Sequence, residues 1–247
     1  MITDKTAIPP IKLFGIWLLA GIAMILCLGL YEFTTKIPIS FISESITVCL
    51  IQGSIFSLAA FWALSTIGVD FKAAFCKANE NIKNDLKLAF KYFFIYTAAA
   101  TAVVLSLALI GMLLLKMGAF TMDALRTHNP TTPRLAELTY LHDVIKSPLK
   151  FVVYLFSTCI LIPIEEEIFF RRLLYVSLRS KMTFMPSLLI SSLIFGAGHI
   201  PAASTISAFV VGLFLGWIYE KKQRLPVNIM VHGLINFSVT VIMIFIG

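Results

Sequence analysis

The stretch Leu161–Tyr175, "LIPIEEEIFFRRLLY", sets three consecutive glutamates and two arginines inside an apolar run. Upstream, Phe151–Ile164 supplies only 14 mostly apolar residues before Glu165, and a helix needs about 20 to cross a bilayer. The helix must therefore continue through the acids to Phe170 or beyond, which puts carboxylates at membrane depth. Charges there cost at least ~2.5–3.5 kcal/mol each on insertion scales, so they mark function or tight pairing.

Helical spacing sorts the five charges. Glu167 and Arg171 are four residues apart and can form an ion pair. Glu165 and Arg172 share another stripe, two turns apart. Glu166 has Phe170 as its i+4 neighbour and no cation on its own face, which suits an acid that takes a proton from water. A purely architectural ladder of charges is the alternative for this segment.

The rest of the chain supports membrane depth. Of 247 residues, 59% are hydrophobic and 13% charged, with a mean hydropathy of +0.92, against about 25% charged in soluble domains. Apolar runs at Leu13–Tyr31, Ile46–Val69, Tyr92–Leu115, Phe184–Ile200, Ala202–Tyr219 and Leu225–Ile246 join the acid-bearing helix to predict seven spans. An eighth follows if Leu173–Leu178 or part of the polar 116–150 segment re-enters. The expected fold is an all-α, polytopic transmembrane helix bundle forming one membrane domain over 1–247. Its first three spans and polar loop occupy 1–150, and the chemistry-bearing helices occupy 151–247. The first run lacks a small-residue cleavage site and reads as an uncleaved span.

Basic residues fall on alternate sides of the runs, which predicts a cytoplasmic N-terminus and an outer C-terminus. Between the second and third runs, "FKAAFCKANENIKNDLK" reads as a short amphipathic surface helix. The net charge of +7 is spread over these loops without a basic, aromatic-interleaved stripe, so nucleic acid is not an expected partner. Four scattered cysteines without CxxC exclude a disulfide framework or zinc knuckle.

Two more polar constellations lie in apolar runs. In "SSLIFGAGHI", Phe195 and His199 are one turn apart; a satisfied core histidine is the alternative. In "VNIMVHGLINF", His232 and Asn236 share a face and can donate to an oxyanion, or can clamp two helices together. His128 and His142 belong to the polar 116–150 segment and read as exposed. Gly212-x-x-x-Gly216 suits close helix packing.

These three constellations, "EEIFFR", "FGAGH" and "HGLIN", resemble the EExxxR, FxxxH and HxxxN motifs of the CAAX-protease and bacteriocin-processing (CPBP, or Abi) intramembrane endopeptidases. The resemblance covers roughly residues 150 to 240. It implies that Glu166 and His199 activate a water, and that His232 with Asn236 stabilise the oxyanion. Glu167 and Arg171 would be a supporting ion pair, with Phe195 part of the second motif. The family usually has glycine after the motif arginine, where this chain has Arg172.

Members are often called metalloproteases, and Glu166, His199 and His232 are the ligands a zinc ion would take. Without HExxH, a metal-free site that gives every polar group a role is the favoured expectation. Expected partners are the bilayer and a membrane-associated peptide or lipid-modified protein substrate. The compact chain points to a prokaryotic cell membrane. A proton-coupled transporter and a non-catalytic scaffold or immunity protein are the competing functions.

Overall fold

The computed structural model describes residues 7–35, 46–118, 140–199 and 202–246, all helix and turn without a strand. The helices are α1 (Pro10–Thr35), α2 (Ile46–Thr66), α3 (Phe71–Glu80) and α4 (Ile82–Lys116), then α5 (Pro148–Arg179), α6 (Phe184–Ala197), α7 (Ala202–Lys222) and α8 (Leu225–Ile246). Residues 140–145 form a further short helical segment. His128 and most of the polar 116–150 loop lie outside the described residues; His142 is exposed.

Among the described residues five helices (α1, α2, α4, α5 and α8) are long and apolar enough to cross a membrane; the apolar runs predicted seven spans. α6 has 14 residues, a rise of about 21 Å against a hydrocarbon core of about 30 Å. The turn at Gly198 ends it before Ile200. Two boundaries also move. Asp70 accepts from Ala73 N–H (2.9 Å) and caps α3, while "NIKNDLK" opens α4 instead of extending the surface helix. Leu173–Leu178 belong to α5 and do not re-enter separately.

The molecule buries a polar cluster within an apolar core and exposes apolar side chains outside. Leu105, Leu107, Ile110 and Met112 of α4 are exposed, while Glu165, Glu167, Arg171, Asn228 and His232 are buried. Lipid, not water, suits such a surface. The apolar interior is built by Leu173, Phe195, Leu215, Ile218 and Val231, and Trp17 of α1 stacks on Phe169 with ring centroids 3.5 Å apart.

Two ionic clamps fix the α7–α8 hairpin. Arg224 pairs bidentately with Asp85 of α4 at 2.5 Å, and Glu220 takes Arg179 (3.0 Å) and the Tyr175 hydroxyl (2.7 Å) of α5.

α5 runs unbroken to Arg179 but is not uniformly wound. It widens to π-helix over Ser157–Leu161 and again over Ile168–Tyr175. Pro163 accounts for the first widening: it has no N–H for the Cys159 carbonyl, and its ring clashes with that carbonyl in an α turn. The carbonyl abuts Gly233 of α8 so closely that a Cβ there would collide with backbone.

Gly216 is also crowded, but by the flexible end of Leu188, and Gly212 meets Ser192 and Phe195. The predicted glycine pair is therefore the α6–α7 contact. Gly233→Ala is expected to destabilise by about 1–3 kcal/mol, and Gly216→Ala by less. Thermal unfolding of the detergent-solubilised protein measures both; equal midpoints would contradict the distinction.

Candidate active site

The site is assembled from α5, α6 and α8. Between its two π segments α5 turns the acids inward, and all three are buried, as is Arg171. Arg171 Nε donates to Glu167 Oε2 at 3.0 Å, so the i,i+4 pair expected from the sequence forms. The terminal nitrogens of Arg171 are buried without a hydrogen-bond partner among the described residues. The guanidinium carbon instead lies 5.1 Å from the Phe195 ring centroid, a cation–π contact.

Glu167 is the most connected group. Besides Arg171, its Oε2 accepts from Asn228 Nδ2 at 3.1 Å, and its Oε1 faces His232 Nδ1 at 3.2 Å. Asn228 also donates to the Leu215 carbonyl at 2.8 Å, tying α7 and α8 to the same carboxylate. The sequence reading passed over Asn228. Its signal is nevertheless present, because Asn228, His232 and Asn236 recur every four residues along one face of α8.

Glu166 stands where the sequence predicted an acid without a cation of its own. Its Oε1 is 3.8 Å from His199 Nε2, and its Oε2 is 3.6 Å from His232 Nε2. Oε2 is buried and takes no direct hydrogen bond among the described residues. Glu165 is buried beside them and interacts with Gln52 of α2. Arg172 faces a cavity on the other side of α5, with Ile168 and Tyr219.

The tautomers follow from acceptor chemistry. His199 Nδ1 lies 2.8 Å from the Phe195 carbonyl, and His232 Nδ1 faces the Glu167 carboxylate. Both acceptors lack a proton to give, so both Nδ1 atoms carry the hydrogen. In the neutral rings each Nε2 is then a lone pair, and both are aimed at Glu166. Thr205 Oγ1 donates to the His199 carbonyl, holding the end of α6 against α7.

Asn236 lies one turn beyond His232 and donates to the Thr158 carbonyl at 2.9 Å, in the first π segment. This is the helix clamp considered above, and it occupies one of the amide's two N–H groups. Ser191 bonds the Leu188 carbonyl, which leaves it a packing role. Among the described residues no group of three or more His, Cys, Asp or Glu side chains could hold a metal ion, so no step is derived through one.

Residues 148–238 match the family model described as "Type II CAAX prenyl endopeptidase Rce1-like". A Bacillus subtilis (strain 168) protein named "Putative membrane peptidase YdiL" is 33% identical over 100 residues, 40% of this chain and 39% of that protein. The chain thus matches less than half the length of this curated relative. No solved structure matches it. The matched segment holds all three motifs, and over that stretch the chain is similar to these membrane endopeptidases. With its apolar outer surface, the protein is an integral membrane protein.

Removing one partner of a buried ion pair costs about 3–5 kcal/mol. Arg171→Met is therefore expected to lower stability by that amount, leaving Glu167 with Asn228 and His232 alone. Denaturant or thermal unfolding in detergent measures it, and a loss below about 1 kcal/mol would mean that the guanidinium is not what holds Glu167.

Proposed function

We propose that the protein is a membrane endopeptidase that hydrolyses a peptide bond with water activated by Glu166 and His199. The observation that carries this reading is the convergence of Glu166, His199 and His232, from three helices, within 3.8 Å. Glu166 stands beyond direct hydrogen-bond distance from both imidazole Nε2 atoms, a gap that suits a bridging water. Glu166 Oε2, lacking any direct bond, is the natural recipient of the proton released as water attacks the carbonyl.

The roles of the two imidazoles separate on their Nδ1 partners. His199, held by a neutral carbonyl, orients the water through its Nε2 lone pair. His232 can donate to an oxyanion through Nε2 only as imidazolium, because its Nδ1–H is committed to Glu167. The carboxylates of Glu166 and Glu167 on either side are the charges that balance it. The free N–H of Asn236 is the second oxyanion donor, and Phe195 with Arg171 holds the cluster in register.

The substrate class comes from the matched family, whose description names a CAAX prenyl endopeptidase. A lipid-modified or otherwise membrane-associated peptide is the proposed partner, in a prokaryotic cell membrane. A proton-coupled transporter fits less well, since Ser57 and Asp85 are the buried polar side chains found in α1 to α4 among the described residues.

The test is turnover of a quenched fluorescent peptide, with and without a prenylated cysteine, by purified protein in liposomes. Glu166→Gln and His199→Ala are each expected to lower kcat by about 100-fold or more, and equal turnover in all three proteins would reject the assignment. A strong chelator should leave turnover unchanged at matched thermal stability, and loss restored by added zinc would overturn the metal-free mechanism.

A further inference from the structure

Asn228 and His232 stand one turn apart on one face of α8, and both meet the same carboxylate. Asn228 Nδ2 donates to Glu167 Oε2 at 3.1 Å, and His232 Nδ1 faces Glu167 Oε1 at 3.2 Å. Each oxygen of one side chain is thus held from a separate point on one helix. Asn228 lies outside the three motifs that carry the family resemblance.

Two points of contact remove a freedom that one contact leaves. The last torsion of a glutamate side chain is broad, so a carboxylate held from α8 at one oxygen can still turn. Arg171 Nε binds Oε2 at 3.0 Å, but it springs from the same helix as Glu167 and cannot fix that helix against α8. With Asn228 added, Oε2 has two donors and Oε1 is left to His232. The carboxylate plane is then set relative to α8, and with it the imidazole whose Nε2 lies 3.6 Å from Glu166 Oε2.

The amide is held in one sense. Its Nδ2 serves two acceptors, Glu167 Oε2 and the Leu215 carbonyl of α7 at 2.8 Å. Turned over, it would set Oδ1 against both oxygens. In the sense it adopts, Oδ1 is buried without a hydrogen-bond partner among the described residues, and the residue has no exposed surface. An amide with an unmet acceptor costs stability in an apolar interior, and a leucine of similar shape would fill the space without that cost. Packing alone does not account for an asparagine here; the direction of its N–H groups does.

We infer that Asn228 is a positioning residue for the proposed hydrolysis, locking the Glu167 carboxylate so that His232 presents Nε2 to Glu166. The inference rests on the endopeptidase reading, since His232 is part of that chemistry. The hydrogen bonds of Asn228 go to Glu167 and Leu215, so it acts through His232 and not on the water itself.

The test compares wild-type protein with Asn228→Leu by peptide turnover in liposomes, by thermal midpoint, and by NMR of isotope-labelled histidine rings. The His232 signal is identified by its loss in His232→Gln. Asn228→Leu should lower kcat by about tenfold and leave KM within about twofold. The ring-nitrogen signals of His232 should shift, because Nδ1–H no longer meets an acceptor held in place. Asn228→Ser, with one donor for two acceptors, should fall between, and it carries the test should Asn228→Leu fail to fold.

A residue that only packs would move the midpoint and leave kcat and the His232 signals as they were; that result would overturn the inference while the endopeptidase reading stood. Wild-type protein that leaves the peptide intact would instead sink the endopeptidase reading. The His232 signals alone would then decide for or against Asn228.

Discussion

Glu167 is the group on which the arrangement of the polar core depends. A carboxylate with no exposed surface must have its lone pairs filled by protein donors, and here the donors come from different helices. Arg171 binds it from its own helix, while Asn228 and His232 reach it from α8. Because Asn228 also bonds the Leu215 carbonyl, one carboxylate sets α5, α7 and α8 relative to each other. His232 thereby has its ring plane and its tautomer fixed before it meets Glu166. The adjacent glutamates of one helical turn thus divide their work: Glu167 is saturated with donors, Glu166 faces the two imidazoles, and Glu165 turns to Gln52 of α2.

The surrounding bundle is arranged to keep this core aligned. Apolar side chains cover the outside of α1 and α4, and aromatic contacts from Trp17 to Phe169 and from Phe170 to Phe195 fill the space around the acids. At the basic end, the Asp85–Arg224 and Arg179–Glu220 pairs clamp the α7–α8 hairpin to α4 and α5. A shift of that hairpin would carry Asn228 and His232 with it, so clamps far from the acids still govern the geometry at Glu166.

What the sequence made legible was local to a single helix or to a strong motif. The Glu167–Arg171 pair, the isolation of Glu166 from cations, the continuation of α5 to Arg179 and the close approach at Gly212 and Gly216 all follow from spacing along one helix. The meeting of Glu166 with His199 and His232 depended on three elements converging, which the motif order suggested but periodicity alone could not fix. Asp85–Arg224 was out of reach, since the partners are 139 residues apart and each looks like an ordinary loop-edge charge. The four-residue recurrence of Asn228 was visible and went unread, because an asparagine near a helix start is usually a solvated residue. Apolar runs do not fix helix length: Phe184–Ile200 is apolar enough to cross, yet backbone turning at Gly198 leaves a helix of 14 residues.

The two π segments of α5 have a geometric result of their own. In an α-helix each residue advances the side chain by about 100°, and each π turn takes up one residue more than an α turn would. The glutamates therefore stand about one such step out of phase with Tyr154, and Arg179 stands about two steps out. The azimuth at which the acids face α6 and α8 is set by helical winding upstream, where Pro163 withholds a donor, and not by the acids or their partners. Shortening that first wide turn by one residue would leave all three glutamates present and rotate the whole acidic face away from its imidazoles.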